Sequence, residues 1–128
     1  MDYLTFESEG QTEEICLVAV QQNGYTLKHV KEQTEEICLA AVQQYGRTLQ
    51  FVEEQTEEIC LVAVQQNGLA LEYVKEQTEE ICLTAVQQYS EALKYVSEAL
   101  KYVKDEKMKE NINYYIKNPH NKIKKAFV

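Results

Sequence analysis

The chain has no tryptophan, one proline, four glycines and two histidines among its 128 residues. So little glycine and proline excludes a collagen-like or low-complexity polypeptide. The two histidines, His29 and His120, form no His-x-x-x-His run, so a zinc site has nothing to build on. The longest apolar runs are six residues, as from Ile15 to Val20, far below the roughly 20 needed to span a bilayer. The first residues, Met1-Asp2-Tyr3-Leu4-Thr5-Phe6-Glu7, lack the basic start and apolar stretch of a signal peptide. The expectation is a soluble, cytoplasmic protein with no membrane contact. Also missing are a glycine-rich phosphate loop, a nucleophile-elbow serine, a His-Glu-x-x-His run and a Cys–His pairing. An enzyme is therefore not expected, nor a cofactor, a metal or a small-molecule substrate.

Cysteine is present but isolated. Cys16, Cys38, Cys60 and Cys82 recur every 22 residues. Stacked helices lie roughly 8–10 Å apart, whereas bridged cysteines need Cα atoms within about 7 Å. Four buried thiols acting as small hydrophobes are the expectation. Basic residues are scarce in most of the chain. Residues 1–98 carry 18 acids against 5 bases, and residues 99–128 carry 3 acids against 8 bases, giving −8 overall. An acidic body disfavours direct docking on nucleic acid and favours a basic partner, which can itself be a nucleic-acid-binding protein.

What the chain does contain is repetition. Four units cover 11–32, 33–54, 55–76 and 77–98, and 99–128 follow as a basic segment of a single helical-repeat domain. Each unit opens on Thr-Glu-Glu-Ile-Cys-Leu-x-Ala-Val-Gln-Gln. Threonine is a good helix N-cap, and two glutamates in the first turn face the positive end of the helix dipole. Six consecutive apolar residues advance 100° each and surround the helix, so it must be covered by neighbours on most sides. Gly24, Gly46 and Gly68 are expected to close these helices in the left-handed conformation. A shorter helix over 25–32 would follow. One such hairpin cannot hide its own apolar surface, but stacked copies can. The fold class expected is all-α: a short α-solenoid of stacked helical hairpins with a C-terminal helical cap.

The motif T-E-E-I-C-L-x-A-V-x-Q-x-G-x-A-L-x-Y-V resembles a short tandem repeat of bacterial and giant-virus proteins that is catalogued as a domain of unknown function. The resemblance covers 11–98. It implies a helical repeat and carries over no activity and no catalytic residue.

Comparison of the units separates fixed from variable positions. The glutamate pairs are fixed: Glu13/Glu14, Glu35/Glu36, Glu57/Glu58 and Glu79/Glu80. Stacking lines them along one edge, as dipole partners, as an acidic ridge for basic side chains, or as both. Three positions vary. One reads Asn23, Tyr45, Asn67, Tyr89, another Tyr25, Arg47, Leu69, Glu91, and a third Lys28, Gln50, Glu72, Lys94. Changing chemistry at a fixed place suggests solvent or a partner. The partner-binding candidates are thus the eight glutamates with Tyr25, Tyr45, Arg47, Leu69 and Tyr89. His29 aligns with Phe51, Tyr73 and Tyr95, which marks an aromatic packing slot.

The fourth unit breaks the pattern. Ser90 replaces glycine, and Ser-Glu-Ala-Leu-Lys-Tyr-Val over 90–96 is repeated at once over 97–103. The spacing of Leu93, Val96, Leu100 and Val103 predicts a helical seam within one longer helix over 91–117, unless Ser97 caps a separate one. Asn118-Pro119 would end it and start a final helix. The lysines of this segment read as a solvated face.

The functional expectation is a non-enzymatic protein–protein interaction module whose ridge binds a basic protein surface. One form of it is an inhibitor that occludes a nucleic-acid-binding enzyme, by analogy with small acidic inhibitors such as anti-CRISPR proteins. Two alternatives are a structural repeat protein of a viral or cellular particle, with self-association, and a nucleic-acid binder working through the basic C-terminal segment.

Overall fold

The computed structural model describes residues 10–88 and 100–118. The α-helices are α1 (Glu13–Gln22), α2 (Glu35–Gln44), α3 (Glu57–Gln66), α4 (Glu79–Gln87) and α5 (Glu106–Lys117). Between the first four lie three 3-10 helices, η1 (Gly24–His29), η2 (Gly46–Phe51) and η3 (Gly68–Tyr73). Each of α1 to α3 packs on the next α-helix, and each 3-10 helix packs on the α-helices before and after it. The result is the all-α stack of hairpins that the repeats imply. Its core is a column of Leu27, Ile37, Leu49, Ile59, Leu71 and Ile81, all buried. Each contributes on the order of 2 kcal/mol through burial.

The α-helices begin where the threonines stand. Thr12, Thr34, Thr56 and Thr78 are extended N-caps whose hydroxyls accept the N–H of Ile15, Ile37, Ile59 and Ile81 at 3.2 Å. They end differently from expectation. Gly24, Gly46 and Gly68 do not take left-handed backbone; among the described residues only Gly10 has positive φ, at 81°. The helix-ending residues are Asn23, Tyr45 and Asn67, all extended. Asn23 and Asn67 then accept the N–H of Tyr25 and Leu69 at 3.0 Å, which turns the chain into the next 3-10 helix. Glycine is required for space. A Cβ on Gly46 would lie 2.3 Å from the Ala63 carbonyl oxygen, and one on Gly24 would lie 3.0 Å from that of Ala41. The second segment of each of the first three units is correspondingly tighter and shorter than an α-helix over 25–32. Its i→i+3 bonds, such as Val30 N–H to Leu27 O at 3.0 Å, draw a six-residue element closed at both ends.

Two sets of glutamines bind the units together. Gln11 donates through Nε2 to His29 O at 2.8 Å, and its Oε1 accepts from Lys31 N at 2.9 Å. Gln33 repeats this with Phe51 O and Glu53 N, and Gln55 with Tyr73 O and Lys75 N. A second set reaches back one unit. Gln44 donates to Gln21 O at 2.6 Å and accepts from Gly24 N, and Gln66 accepts from Gly46 N. An amide side chain offers a donor and an acceptor at once, which is what a loop with one free C=O and one free N–H demands.

Coverage of the α-helices grows along the stack. In α1, Val18 remains 48% exposed, whereas in α4 every residue from Ile81 to Val86 is buried. The helix covered on most sides is thus α4, which α3 and α5 flank. The equivalent of Val18 there is Thr84, whose hydroxyl donates to Glu80 O at 2.7 Å and so suits a buried place.

The single helix expected over 91–117 is interrupted in its described part. The chain leaves helical structure between Lys101 and Asp105, and α5 starts afresh with Asp105 accepting from Met108 N at 3.0 Å. The cause is Gln77. Its amide takes Tyr102 O and Lys104 N, which removes both from a helical ladder. Buried Ile112 anchors α5, which packs on α4 as an end cap. The remainder of the expected long helix, the final helix after Pro119, and Tyr89 and Glu91 lie outside the described residues.

Candidate interaction surface

Capping places each glutamate pair at the first turn of its helix, so the four pairs share one edge of the stack. Seven of the eight carboxylates belong to exposed residues, and Glu80 is half-buried. The two members of a pair differ in role. Glu13 accepts from the Thr34 hydroxyl and Glu35 from that of Thr56, both at 3.3 Å. The first glutamate thereby ties its unit to the next. Glu14, Glu36 and Glu58 do not share that role. All three are exposed, and among the described residues their carboxylates take part in no hydrogen bond and no ion pair. Unlike Glu57, none of the three lines the groove between the third and fourth units. The reason is helical: one residue advances 100° around the axis, so the second glutamate of a pair turns away from the threonine of the next unit. Glu14, Glu36 and Glu58 are thus left exposed to solvent. None of the eight glutamates forms an ion pair with a cation among the described residues. Glu80 is pushed above its ordinary carboxyl pKa, first by burial and then by a hydrogen bond with Glu57 and by that residue's charge. Carboxylates of the third and fourth units therefore crowd one another.

The loops between each 3-10 helix and the following α-helix emerge on the same edge, held by the glutamine clamps. They add exposed Glu32, Glu53, Glu54 and Glu76, together with Lys31 and Lys75. Comparison of the units passes over these loop acids. Their signal is the invariant glutamine that fixes the loop, a residue to which spacing alone assigns no role. Between the third and fourth units the edge opens into a groove of about 260 Å³ lined by Gln55, Glu57, Cys60, Lys75, Glu76 and Ile81, among others.

The variable tip residues stand at the opposite ends of the α-helices. A ten-residue helix is about 15 Å long, so Tyr25, Tyr45, Arg47 and Leu69 do not join the glutamates in one site. They are also engaged with each other. The Tyr25 ring lies 5.3 Å from Tyr45 and 6.2 Å, edge-on, from Phe51. In the next interface Arg47 takes the place of Tyr25. Its guanidinium lies 5.7 Å from the Tyr73 ring centroid, donates to the Tyr73 hydroxyl at 3.0 Å, and pairs with Glu72 at 3.4 Å. Hydrogen bonds from Tyr73 and Tyr102, with the Arg47 charge, hold the Glu72 carboxyl below its usual range. Variation at the tips thus matches neighbour to neighbour. Tyr25 and Tyr45 still expose 38% and 46% of their surface, while Leu69 is half-buried. The aromatic slot holds Phe51 and Tyr73 against the core, and His29 is half-buried there.

The four cysteines are buried and free. Burial pushes the thiols of Cys38 and Cys60 up to about 11 and that of Cys82 to about 12, with nearby carboxylates adding to each shift. Cys38, Cys60 and Cys82 donate weakly to the clamp oxygens of Gln33, Gln55 and Gln77. Burial thus favours the protonated form of these packed thiols. Among the described residues no group of three or more His, Cys, Asp or Glu is placed to hold a metal ion. No described helix is long and apolar enough to cross a membrane.

A family model for a domain of unknown function, DUF4116, matches the chain twice, at 34–79 and 56–101. The two matches start one 22-residue unit apart and together span more than half of the chain. No curated protein and no solved structure matches it. With these tandem matches over more than half of its length, the chain belongs to the DUF4116 family.

Proposed function

We propose that this protein is a non-enzymatic interaction module that holds a basic protein surface against its acidic edge. One observation carries the reading: eight carboxylates aligned by capping, without cationic partners among the described residues, with Glu80 raised beside Glu57. A surface that crowds like charge gains most from a partner that brings the opposite one. Glu14, Glu36 and Glu58, exposed and without a partner among the described residues, are well placed to receive its basic side chains. Loop acids extend the edge, and the glutamine clamps keep it rigid, so little ordering cost is incurred on binding. In its sharper form the partner is a cytoplasmic nucleic-acid-binding enzyme, whose positive groove the edge covers in competition with its nucleic acid. The exposed Lys101, Lys104, Lys107 and Lys117 around α5 support a second reading, direct contact with nucleic acid through that end.

The test is capture of a purified basic nucleic-acid-binding enzyme by the wild type and by a Glu35→Lys/Glu36→Lys/Glu57→Lys/Glu58→Lys variant. Capture should disappear with the variant, weaken at about 0.5 M salt, where screening reaches within roughly 4 Å, and be displaced by the enzyme's nucleic acid. Equal capture by a folded variant rejects the acidic edge. A mobility shift of labelled DNA or RNA by the protein alone supports the second reading.

A further inference from the structure

The glutamine clamps occur at strict spacing in the first three units. The donated-to carbonyl lies 18 residues after the glutamine, and the accepted N–H lies 20 after it. In the fourth unit the spacings are 25 and 27, from Gln77 to Tyr102 and Lys104. The excess is the length of the duplicated Ser-Glu-Ala-Leu-Lys-Tyr-Val. The end of the second copy, over 100–103, therefore fills the slot that η1, η2 and η3 end in elsewhere. Val103 N–H bonds Leu100 O at 3.1 Å, as Val30 bonds Leu27 and Val52 bonds Leu49. Val103 is buried in the place of Val30, Val52 and Val74. The first copy, over 90–96, has the same seven residues. It would restore the 18- and 20-residue spacing, with Tyr95 and Ser97 in place of Tyr102 and Lys104.

From this we infer that the fourth slot is a register switch: either copy of the heptad docks against Gln77, and a slip of seven residues exchanges them. The slot cannot tell the copies apart, because the side chains that enter it are identical and the clamp reads only backbone. Ser97 and Glu98 would follow the first copy where Lys104 and Asp105 follow the second, and both Ser97 and Asp105 are competent N-caps. The surplus heptad precedes the slot in one register and follows it in the other. Closing a loop of equal length costs about the same on either side, so the two states lie close in free energy. The consequence is spatial. In the register seen here the surplus comes before the docked residues 100–103 along the chain. In the other it falls between the slot and α5, on the side of the clamps and of Glu79 and Glu80. Anything that binds one edge and is crowded by the surplus biases the register in proportion to its preference for one state.

The test empties one copy in the full chain. Leu100→Ser/Val103→Ser removes the apolar pair now docked. If the slot accepts either copy, amide-exchange protection moves from Lys104 to Ser97, and adding Leu93→Ser/Val96→Ser abolishes it at both. The matching pair Leu71→Ser/Val74→Ser, in a unit with no spare copy, should lose protection at Lys75 without any transfer. Loss of protection across 95–104 in the Leu100→Ser/Val103→Ser variant, with none gained at Ser97, overturns the switch.

Discussion

Replacing Gln55 by alanine tests whether the clamps, and not helix burial alone, hold the stack together. In the native protein Gln55 donates to Tyr73 O at 2.9 Å and accepts from Lys75 N at 3.0 Å, with a weak contact from the Cys60 thiol at 3.5 Å. Each good bond contributes about 1 kcal/mol net, and an orphaned, partly buried carbonyl adds a desolvation penalty of the same order. Lys75 is exposed, so water satisfies its N–H, but Tyr73 O lies in a half-buried residue. The expected loss is about 2–3 kcal/mol, or roughly 8–12 °C in melting temperature for a chain of this size. Gln55→Glu keeps the acceptor for Lys75 N and loses the donor for Tyr73 O, so about half of that loss should remain. Gln43→Ala removes an exposed side chain with no hydrogen bond among the described residues and should change stability by less than about 0.5 kcal/mol. Urea unfolding followed by circular dichroism measures all three. A Gln55→Ala protein within about 0.5 kcal/mol of wild type would falsify the claim that the clamps matter energetically.

Other substitutions follow the same geometry. Gly46→Ala should destabilise more than Gly24→Ala, because the added methyl meets Ala63 O at 2.3 Å in one case and Ala41 O at 3.0 Å in the other; a reversed order in melting temperature contradicts the close-approach account. Cys38, Cys60 and Cys82 have folded pKa values raised from 9.0 to about 11–12. Their contribution is therefore complete below about pH 9 and lost as pH rises through 11 to 12. Denaturant midpoints should fall across that window in wild type and less steeply after Cys60→Ala. Glu80→Gln removes a carboxyl whose charged form is disfavoured beside Glu57, so its melting temperature at pH 7 should not fall, and it should shift less than wild type between pH 7 and pH 5.

How much of this is legible in the residues depends on the range of the interaction. Helix starts are readable, since a threonine cap and the N–H it satisfies lie three residues apart. The all-α stack is readable too, because six apolar residues in a row have no solvent-facing side and the units recur at a fixed step. The glycines mislead for a physical reason. A left-handed cap and a tight approach both call for glycine, and only the carbonyl of Ala63, in the next unit, distinguishes them. The invariant Gln33, Gln55 and Gln77 are visible as constants, but their partners lie 18 to 27 residues away. The glutamates look alike in every pair, and only the threonine of the next unit separates Glu13 and Glu35, which it engages, from Glu14 and Glu36, which it does not. The tips look free because each residue is compared with its counterparts in other units. In the fold Tyr25 meets Phe51, and Arg47 meets Tyr73.

By itself, then, the sequence determined the number of units, where their helices begin, which residues are apolar enough to require neighbours, and the line of glutamates along one edge. All of these follow from local capping, periodicity and repetition. Tertiary structure alone decided that the second segments of the first three units are 3-10 helices, that glutamines bolt each described loop to the stack, that the tips pair with each other, and that the end of the second heptad fills the last slot. Each of these depends on which backbone groups of one unit come to face another, and local sequence does not specify that until the units are stacked.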